Sequence, residues 1–469
     1  MVKHIGSAHN QKELLALRAI AALWMEKTSK QPSLFPDRGT SASEQLTQYQ
    51  YVGFRYAMMY ESLYELCKVF GFQWLRNKLL VDLVIARIVE PSSKVHSIEF
   101  LKEFMGIEHG RRDLYRQLPK FASLKGVVES KVLAVAKKEF AFTLSLVFYD
   151  VTTLYFESFE SDELRQCGFS KDNKFNQPQI VLGLLVSANG FPIAYQIFNG
   201  KKFEGHTLIP VILKFKQKHK IEELTVVADA AMISSENIAA LREAHLQYIV
   251  GARTANLPIK LIESISRGLS QHDGTTIRTD TECGDLICDF SAKRFAKDKR
   301  EMENQIAKAE ELLKNPKRIK RAKFITSQQQ TYALNTSLIE KTKLLLGIKG
   351  YYTSLSKSEA DDRLIIEHYH NLWHVEQAFR IAKSDLQMRP MYHFKEDAIK
   401  AHVLICFMAL ALCKYMELKT GKSTKSILKS LRSVTDATLV NTLTGEQITL
   451  RSPVNNEIQE LLRNLGINP

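Results

Sequence analysis

The sequence is poor in cysteine, with six among its 469 residues. They lie at Cys67, Cys167, Cys283, Cys288, Cys406 and Cys413. Scattered single cysteines are typical of reduced intracellular thiols and not of a disulfide framework. Cys283 and Cys288 are too far apart for a zinc knuckle, and no second pair with metal-ligand spacing follows. The cysteine pattern therefore argues against a disulfide-stabilised secreted domain and against a structural zinc site.

Long apolar segments are missing as well. The longest apolar run, Val403 to Cys413, is shorter than the about 20 residues that a membrane-spanning helix needs, so we expect a buried helix there. The first residues contain no apolar core followed by a cleavage site, so no signal peptide is predicted. The sequence also has no internal repeat and no low-complexity tract. These absences predict a soluble cytoplasmic protein without a membrane partner.

Acidic residues are outnumbered by basic ones. The chain has 65 Lys and Arg against 51 Asp and Glu, which gives a formal net charge of +14. Such a surplus suits a polyanionic partner, because each phosphate neutralised by a basic side chain releases counterions. Nucleic acid is the expected partner, and a merely basic enzyme is the alternative.

Helical patterns dominate residues 1–140. Residues 74–89 have strong helical periodicity, and Pro91 follows them. A basic helix begins near Arg111, after the turn-forming stretch from Gly106 to Gly110. Two helices around a short turn are compatible with a helix-turn-helix DNA reader, and equally with one face of a helical bundle. We interpret this region as helical and DNA-binding.

Strand patterns replace the helices in residues 141–253. The β-rich runs are 143–151, 179–186, 191–198, 224–228 and 247–251, with Asn189-Gly190 forming a hairpin turn between the second and third. Helices are predicted from about 206 to 219 and after Ser234. The order β-β-β-α-β-α-β predicts an α/β fold, a mixed sheet with helices on its faces.

The alternation stops in residues 254–362, which combine short strand-like pieces with a charged helix. We interpret this stretch as a β-rich insertion, because periodic helices resume in residues 363–420, from 363 to about 386 and from 399 to about 418. These helices complete the core. Residues 421–469 are predicted to be a polar, weakly helical tail.

Two aspartates follow buried apolar strands. Asp150 is predicted at the end of the first strand of the sheet and Asp229 at the end of the fourth. Strand ends in α/β sheets are where side chains from separate segments converge on a ligand. An unpaired carboxylate after an apolar run would be costly, and a divalent cation between the two would remove that cost. Either aspartate alone is more typical of a turn or a helix cap.

A third acid lies on the helix that follows the insertion. One apolar stripe of that helix should face the core; it contains Leu372, Val375, Phe379, Ala382 and Leu386. A neighbouring stripe contains Tyr369, Trp373, Glu376, Arg380 and Lys383. The plain alternative is an exposed Glu–Arg pair at i, i+4 spacing. Because this pair borders the core face, we interpret it as one wall of a phosphate-binding active site.

Two aspartates on strands and a glutamate on a helix provide the ligands for two-metal phosphoryl transfer. Mg²⁺ prefers a few carboxylates, with water and substrate phosphate completing its octahedron, and Mn²⁺ can substitute. We therefore predict that Asp150, Asp229 and Glu376 hold two divalent ions. Arg380 and Lys383 would hold the DNA backbone beside them.

At these residues the chain resembles a bacterial insertion-sequence transposase of the DDE type, from the group with a tyrosine–arginine–glutamate–lysine signature. The matching stretches are FYDVTTLYFES around Asp150, VVADAAMISSENI around Asp229 and YHNLWHVEQAFRIAKSDLQMRPMYH around Glu376. The resemblance runs from about residue 86 to about residue 412. It implies a ribonuclease-H-like core whose catalytic and metal-binding acids are these three residues.

The resemblance also assigns the signature residues that contact DNA. The signature tyrosine and lysine fall on Tyr369 and Lys383, whereas Leu372 occupies the arginine position, so Arg380 is the candidate for that charge. Some relatives use a tryptophan of the insertion to hold a flipped base. No tryptophan lies between Asp229 and Leu372, and three tyrosines of the insertion, at 332, 351 and 352, are weak substitutes.

The implied activity is DNA transposition. The protein would bind the inverted-repeat ends of its element, cleave them and join the 3′-hydroxyl ends to target DNA, as a dimer or higher assembly. The insertion would contact the transposon end. Two alternatives stay open at this point: a nuclease with the same core but no strand transfer, and a basic DNA-binding protein without catalytic activity.

Overall fold

A computed structural model describes residues 4–28, 48–170, 174–232, 234–314, 322–328 and 331–468. The helices, numbered along the chain, are α1 (Gln11–Thr28), α2 (Ala57–Val69), α3 (Lys78–Val89), α4 (Lys94–Phe100), α5 (Arg111–Phe121), α6 (Lys125–Phe140), α7 (Leu208–His219), α8 (Ser235–Glu243), α9 (Ile259–Gly268), α10 (Ala292–Leu313), α11 (Thr336–Leu344), α12 (Asp362–His370), α13 (Trp373–Arg380), α14 (Glu396–Thr420), α15 (Thr424–Arg432) and α16 (Asn456–Asn464).

The strands are β1 (Tyr49–Arg55), β2 (Leu146–Tyr155), β3 (Gln179–Val186), β4 (Pro192–Asn199), β5 (Thr225–Ala228), β6 (Gln247–Ala252), β7 (Thr276–Thr281), β8 (Gly284–Phe290), β9 (Ile325–Gln328), β10 (Thr331–Leu334), β11 (Ile348–Thr353), β12 (Asp436–Asn441) and β13 (Gln447–Arg451). They belong to two compact units.

The first unit combines the two ends of the chain, Met1–Tyr115 and Met416–Pro469. Its sheet has the order β1-β12-β13, and both pairings are antiparallel. The region is mostly helical, as predicted. Helix α3 starts at Lys78, later than the predicted Trp74, because the Asn77 side chain caps it by accepting from the Leu80 N–H at 3.0 Å.

The C-terminal segment differs from the weakly helical tail that we predicted. It contains two helices, α15 and α16, and two strands, β12 and β13. The pairing of β1 with β12 joins residues almost 400 positions apart along the chain. Because β12 and β13 are short and half-exposed, their sequence lacks a strong alternating pattern, and the pairing partner cannot be inferred locally.

The second unit, Arg116–Tyr415, contains an eight-stranded mixed sheet. The strand order is β4-β3-β2-β5-β6-β11-β8-β7. Strands β2, β3 and β4 form an antiparallel meander, whereas β5 and β6 continue from β2 in parallel. This arrangement confirms the predicted order β-β-β-α-β-α-β and the ribonuclease-H-like mixed sheet with flanking helices.

Three of the strands predicted for the insertion extend this same sheet. Strand β11 pairs antiparallel with β6, β8 pairs with β11, and β7 pairs with β8. Strands β9 and β10 form a separate hairpin. The described part of residues 254–362 therefore adds three strands to this sheet and also contains the helices α9, α10 and α11. The stretch interrupts the core between β6 and α12, while its domain boundaries stay a prediction.

Helices cover both faces of the sheet. One face buries an apolar cluster that includes Val147, Tyr149, Leu185, Val211 and Phe215. On the other side, α12 packs on β6 and β11, and α13 packs on β2 and β3. The helix that carries Glu376 therefore lies across the middle strands, where the first two candidate acids are located.

Helix α14 contains the longest apolar run of the sequence. By length and composition it could cross a membrane, but 94% of its apolar window is buried inside the protein. Every residue from Val403 to Cys413 is buried. The prediction of a buried helix is confirmed.

Candidate active site

Asp150 lies inside β2, and the prediction that it ends this strand is wrong. β2 continues to Tyr155, because the residues after Asp150 are β-branched or apolar and pair with β3. The pairing that does stop at this point is the parallel one with β5, whose last pair is Tyr149 with Ala228. Asp150 is therefore the first residue of β2 beyond the end of β5.

Asp229 follows β5 directly. It is exposed, and its Oδ1 accepts a hydrogen bond from the Ala230 N–H at 2.7 Å. Because Ala228 is registered with Tyr149, the residues that come next on the two strands are Asp229 and Asp150. The strands that carry the two aspartates are neighbours, as predicted.

The helix of Glu376 is not continuous. α12 ends at His370, a turn at Asn371 and Leu372 follows, and α13 runs Trp373–Arg380 before a π-helical turn, Ile381–Asp385. We predicted one helix to about residue 386, since neither Pro nor Gly marks the break. π-Helical turns are frequent at functional sites.

The predicted apolar stripe of this segment is confirmed. Its members are all buried: Leu372, Val375, Phe379, Ala382 and Leu386. Because this stripe packs towards the sheet, the adjoining stripe of α13 faces the region where β5 ends. Trp373 departs from the pattern: it is 51% exposed and its ring contacts His374.

The three candidate acids open into one cavity of about 380 Å³. The side chains that line it are Asp150, Val151, Thr152, Asp229, Leu372, Glu376, Phe379, Arg380, Lys383, Ser384 and Arg389. The structure therefore brings together Asp150, Asp229, Glu376, Arg380 and Lys383. The first and the last of these residues are more than 200 positions apart along the chain. The cavity carries three acids and three strongly basic groups.

Glu376 and Arg380 do not form the ion pair that i, i+4 spacing allows. In the part of the chain that the structure describes, neither side chain has a hydrogen bond or an ion pair. Both are exposed to the cavity. The alternative interpretation, an exposed ion pair between Glu376 and Arg380 on the helix surface, therefore has no support. Both side chains can contact a ligand in the cavity.

Tyr369 is buried behind the cavity and holds Asp229. Its hydroxyl donates to Asp229 Oδ1 at 3.1 Å. Burial raises the pKa of Tyr369, and the charge of Asp229 raises it further, so the hydroxyl stays a donor. A Cβ on Gly251 of β6 would collide with this hydroxyl. The glycine thus gives Tyr369 the room that it needs to reach the carboxylate.

Lys349 lies beside the candidate site, and sequence reasoning did not select it. Its ammonium lies 4.4 Å from the centre of the Tyr369 ring and 5.5 Å from that of Tyr351. Burial lowers the pKa of Lys349, with Arg294 lowering it further, while the negative charges of Asp289, Asp229 and Glu376 oppose the shift. The only local signal was a lone lysine within the apolar strand IKGYYT.

The three insertion tyrosines differ in their exposure. Tyr351 is fully buried and packs against Tyr369, with ring centres 4.8 Å apart. Tyr352 is half-buried and packs against the apolar clusters of the sheet. Tyr332 is 39% exposed on the β9–β10 hairpin. Tyr332 is the most exposed of the three, and its use as a weak substitute for the missing tryptophan stays a prediction.

The donor set of the cavity fits a divalent cation. All three acids offer carboxylate oxygens, which are the ligands that Mg²⁺ and Mn²⁺ take in proteins. Oδ1 of Asp229 accepts both hydrogen bonds that the described residues make to this carboxylate. Its Oδ2 can therefore bind a cation. Within the described residues no three acidic, histidine or cysteine groups are already arranged to hold one ion.

Comparison with known families decides what kind of protein this is. The family model of the transposase DDE domain matches residues 142–412, more than half of the chain. The chain belongs to this family. The resemblance that the motifs predicted is confirmed, and the match covers the cavity with all of its lining residues.

Two solved structures of transposases are similar to the chain. The first is piggyBac transposase in a synaptic complex with hairpin DNA, at 11% identity and a TM-score of 0.38, covering 92% of this chain and 72% of that one. The second is Mos1 transposase in a paired-end complex with the left transposon end, at 10% identity and a TM-score of 0.17, covering 50% of this chain and 66% of that one. No curated protein matches by sequence.

In this DDE transposase the signature arginine is replaced by a residue that lines the cavity. Leu372 is buried and forms part of its wall. Arg389 contributes a charge to the same cavity from beyond the π-helical turn, and its guanidinium lies 5.7 Å from the centre of the Tyr155 ring. The sequence motif gave no reason to select Arg389.

Proposed function

We propose that the chain is a Mg²⁺-dependent transposase that binds the inverted-repeat ends of an insertion sequence, cleaves them and joins the 3′-hydroxyl ends to target DNA. Mn²⁺ can replace Mg²⁺. The observation that supports this proposal is the convergence of Asp150, Asp229 and Glu376 on one cavity that also carries Arg380, Lys383 and Arg389.

The three carboxylates would hold two divalent ions. When bound, such ions activate the attacking oxygen and stabilise the leaving oxygen of a phosphodiester. Tyr369 fixes the orientation of Asp229 by occupying Oδ1, so that the other oxygen is presented to the cavity. A hydrogen bond of this kind typically raises metal affinity and activity about 10- to 100-fold.

The basic side chains would hold the DNA backbone. Arg380, Lys383 and Arg389 project into the same space as the acids, and guanidinium groups bind phosphate oxygens in a bidentate manner. Lys349 adds positive charge behind Tyr369, where it balances Asp229 and Glu376. The reacting phosphate would lie between these groups and the carboxylates.

Other parts of the chain would recognise the ends. The turn before α5 and the basic sequence of this helix suit a DNA reader, and the insertion is the proposed contact with the transposon end. Two ends must be brought together, so we propose a dimer or a higher assembly on DNA. We also propose a cytoplasmic, nucleoid-associated location in a bacterium.

A strand-transfer assay tests the proposal. The purified protein is given a pre-cut 3′-hydroxyl end of its own element and a supercoiled target plasmid, with Mg²⁺. Joined product is expected from the wild type and not from Glu376→Gln. Glu367→Gln is the matched control, because Glu367 is an exposed glutamate of α12 that does not line the cavity. Nicking of the plasmid without joined product would support a nuclease instead.

A further inference from the structure

A second concave site lies at the β4 edge of the large sheet. It is a groove of about 280 Å³ between α6, α7 and β4, here called the β4 groove. The residues that line it are Lys125, Gly126, Glu129, Leu185, Ala194, Tyr195, Gln196, Val211, Lys214, Phe215, Lys218 and His219. Its polar side chains are mainly basic.

The floor of the β4 groove contains one buried acid. Glu129 accepts from the backbone N–H of Tyr195 at 3.2 Å, which satisfies a donor of the edge strand. Its carboxylate also pairs with Lys125 at 2.7 Å and with Lys218 at 3.2 Å. Because two lysines pair with one carboxylate, these three side chains together carry a net positive charge.

Lys214 adds a further positive charge that no side chain of the described residues pairs with. It is exposed at the groove, and its side chain has no hydrogen bond or ion pair within the described ranges. Burial lowers the pKa of Lys125, and Lys214 and Lys218 lower it further while Glu129 opposes them. The lysines of the groove therefore repel one another.

The two helices that build the groove are basic along their length. Helix α6 contains Lys125, Lys131, Lys137 and Lys138, and α7 contains Lys214, Lys216 and Lys218. Against these seven lysines stand two glutamates, both on α6. His219 adds no charge at neutral pH, because burial and the neighbouring lysines lower its pKa. Such a density of cations favours a polyanion.

The β4 groove and the catalytic cavity open on opposite faces of the sheet. Leu185, Val211 and Phe215 of the groove belong to the apolar cluster that buries Tyr149. Asp150 is the next residue along β2, and successive side chains of a strand point to opposite faces. One DNA phosphate cannot contact both sites, so the β4 groove would bind a different stretch of backbone.

We infer that the β4 groove binds the phosphate backbone of duplex DNA, as a second contact region separate from the catalytic cavity. This inference rests on the proposed function, since it requires a DNA substrate. Lys214 and Lys218 would contact phosphate oxygens directly, while Lys125 stays with Glu129. Gln196 is the one amide side chain among the residues that line the groove, and the other polar contacts would be lysines to phosphate, so the contact would be largely independent of sequence.

The salt dependence of DNA binding tests the inference. Binding of a labelled duplex of unrelated sequence is measured by fluorescence anisotropy at several salt concentrations without divalent metal. Lys214→Ala should weaken binding and reduce the slope of log K against log salt by about one, the value for one lost phosphate contact. Lys138→Ala is the matched control, since Lys138 is an exposed lysine of α6 that does not line the groove.

An equal slope for Lys214→Ala, Lys138→Ala and the wild type would overturn the inference.

Lysine acylation gives a second measurement that needs no substitution. DNA should protect Lys214 and Lys218 from the reagent and leave Lys138 reactive, and equal reactivity of all three would also overturn it. If the wild type joins ends but Lys214→Ala has the wild-type salt slope, the inference about the β4 groove is wrong and the proposed function stands. If Lys214→Ala has a smaller slope but the wild type neither cleaves nor joins DNA, the proposed function is wrong instead.

Discussion

Asp150 and Asp229 occupy equivalent positions on adjacent parallel strands, each directly after the last registered pair, Tyr149 with Ala228. The hydrogen-bonded register of β2 and β5 thus places the two aspartates at neighbouring positions on adjacent strands. Glu376 reaches the same cavity from α13, which packs across β2 and β3. Rigid elements therefore position all three acids, as a metal site requires.

Replacing either aspartate should abolish cleavage and spare DNA binding. Asp150→Asn and Asp229→Asn keep the shape of the side chain but remove the charge that a divalent ion requires. We expect cleavage rates at least about 100-fold below the wild type, with end binding in an electrophoretic shift assay unchanged. Asp280→Asn, an exposed aspartate of β7, is the control. Loss of binding together with cleavage in both variants would argue against metal-ligand roles.

Tyr369 should act through Asp229. Tyr369→Phe removes the donor to Oδ1, and we expect a loss of about 10- to 100-fold in cleavage at low Mg²⁺, reduced at high Mg²⁺. Gly251→Ala should cause a similar loss, because its Cβ displaces the same hydroxyl.

The double variant should be no worse than the stronger single variant, since both changes remove one interaction. Because the pKa of Tyr369 is raised, the hydroxyl remains protonated below the ordinary tyrosine value of about 10. The ratio of wild-type to Tyr369→Phe rates should therefore be constant up to that pH. Additive losses in the double variant would contradict the shared mechanism.

Lys349 should contribute to the charge balance of the site. Lys349→Met removes the ammonium that lies over Tyr369, and we expect cleavage to fall about 10- to 100-fold, the equivalent of one hydrogen bond to a charged group. Lys349→Arg should recover part of the activity because the charge returns. Lys343→Met, on the exposed end of α11, is the control. A wild-type cleavage rate in Lys349→Met would show that Lys349 does not contribute to the site.

The sequence was sufficient to predict the core of the fold. Runs of β-rich residues between turn signals correctly indicated β2 to β6, because these strands are buried largely on both faces of the sheet. Helical periodicity correctly indicated the buried stripe of α13. The positions of Asp150, Asp229 and Glu376 could be selected because each adjoins a buried apolar run. The break at Asn371 had no signal, since hydrogen bonds within the turn replace those of the helix without Pro or Gly.

Residues placed by long-range pairing were not predictable. Lys349 comes near Tyr369 only because β11 joins the edge of β6 and α12 packs on both strands. β12 gives no sign of its pairing with β1 until both strands are placed. The sequence pattern of a short strand indicates which face is buried and does not indicate which strand lies beside it.

Stability at low pH should depend on a buried acid of the first unit. Asp82 is fully buried and accepts from Tyr60 at 2.7 Å, from Lys78 at 2.8 Å and pairs with His109 at 2.7 Å. Burial alone would raise the pKa of Asp82, but these partners hold it below the ordinary value. Asp82→Ala should cost about 1.5–3 kcal/mol near neutral pH, because Tyr60, Lys78 and His109 lose hydrogen bonds to a charged acceptor.

The pH dependence follows from the lowered pKa of Asp82. Its stabilising effect is complete above the unfolded value of about 3.9 and is lost as the pH falls through the folded value. The difference in hydrogen exchange of α3 between wild type and Asp82→Ala should therefore shrink below about pH 4. Glu65→Gln, from the exposed pair with Lys68, should change stability by less than about 1 kcal/mol. A constant difference at all pH values would contradict this assignment.

Binding of Mn²⁺ tests the central claim most directly, because it measures whether the three acids hold metal without depending on DNA. Calorimetric titration of the wild type, Asp150→Asn, Asp229→Asn, Glu376→Gln and the control Glu367→Gln compares their affinities. We predict that each of the three site variants binds Mn²⁺ at least about 10-fold more weakly than the wild type, and that Glu367→Gln binds it equally well. Equal Mn²⁺ affinity in all five proteins would contradict the claim.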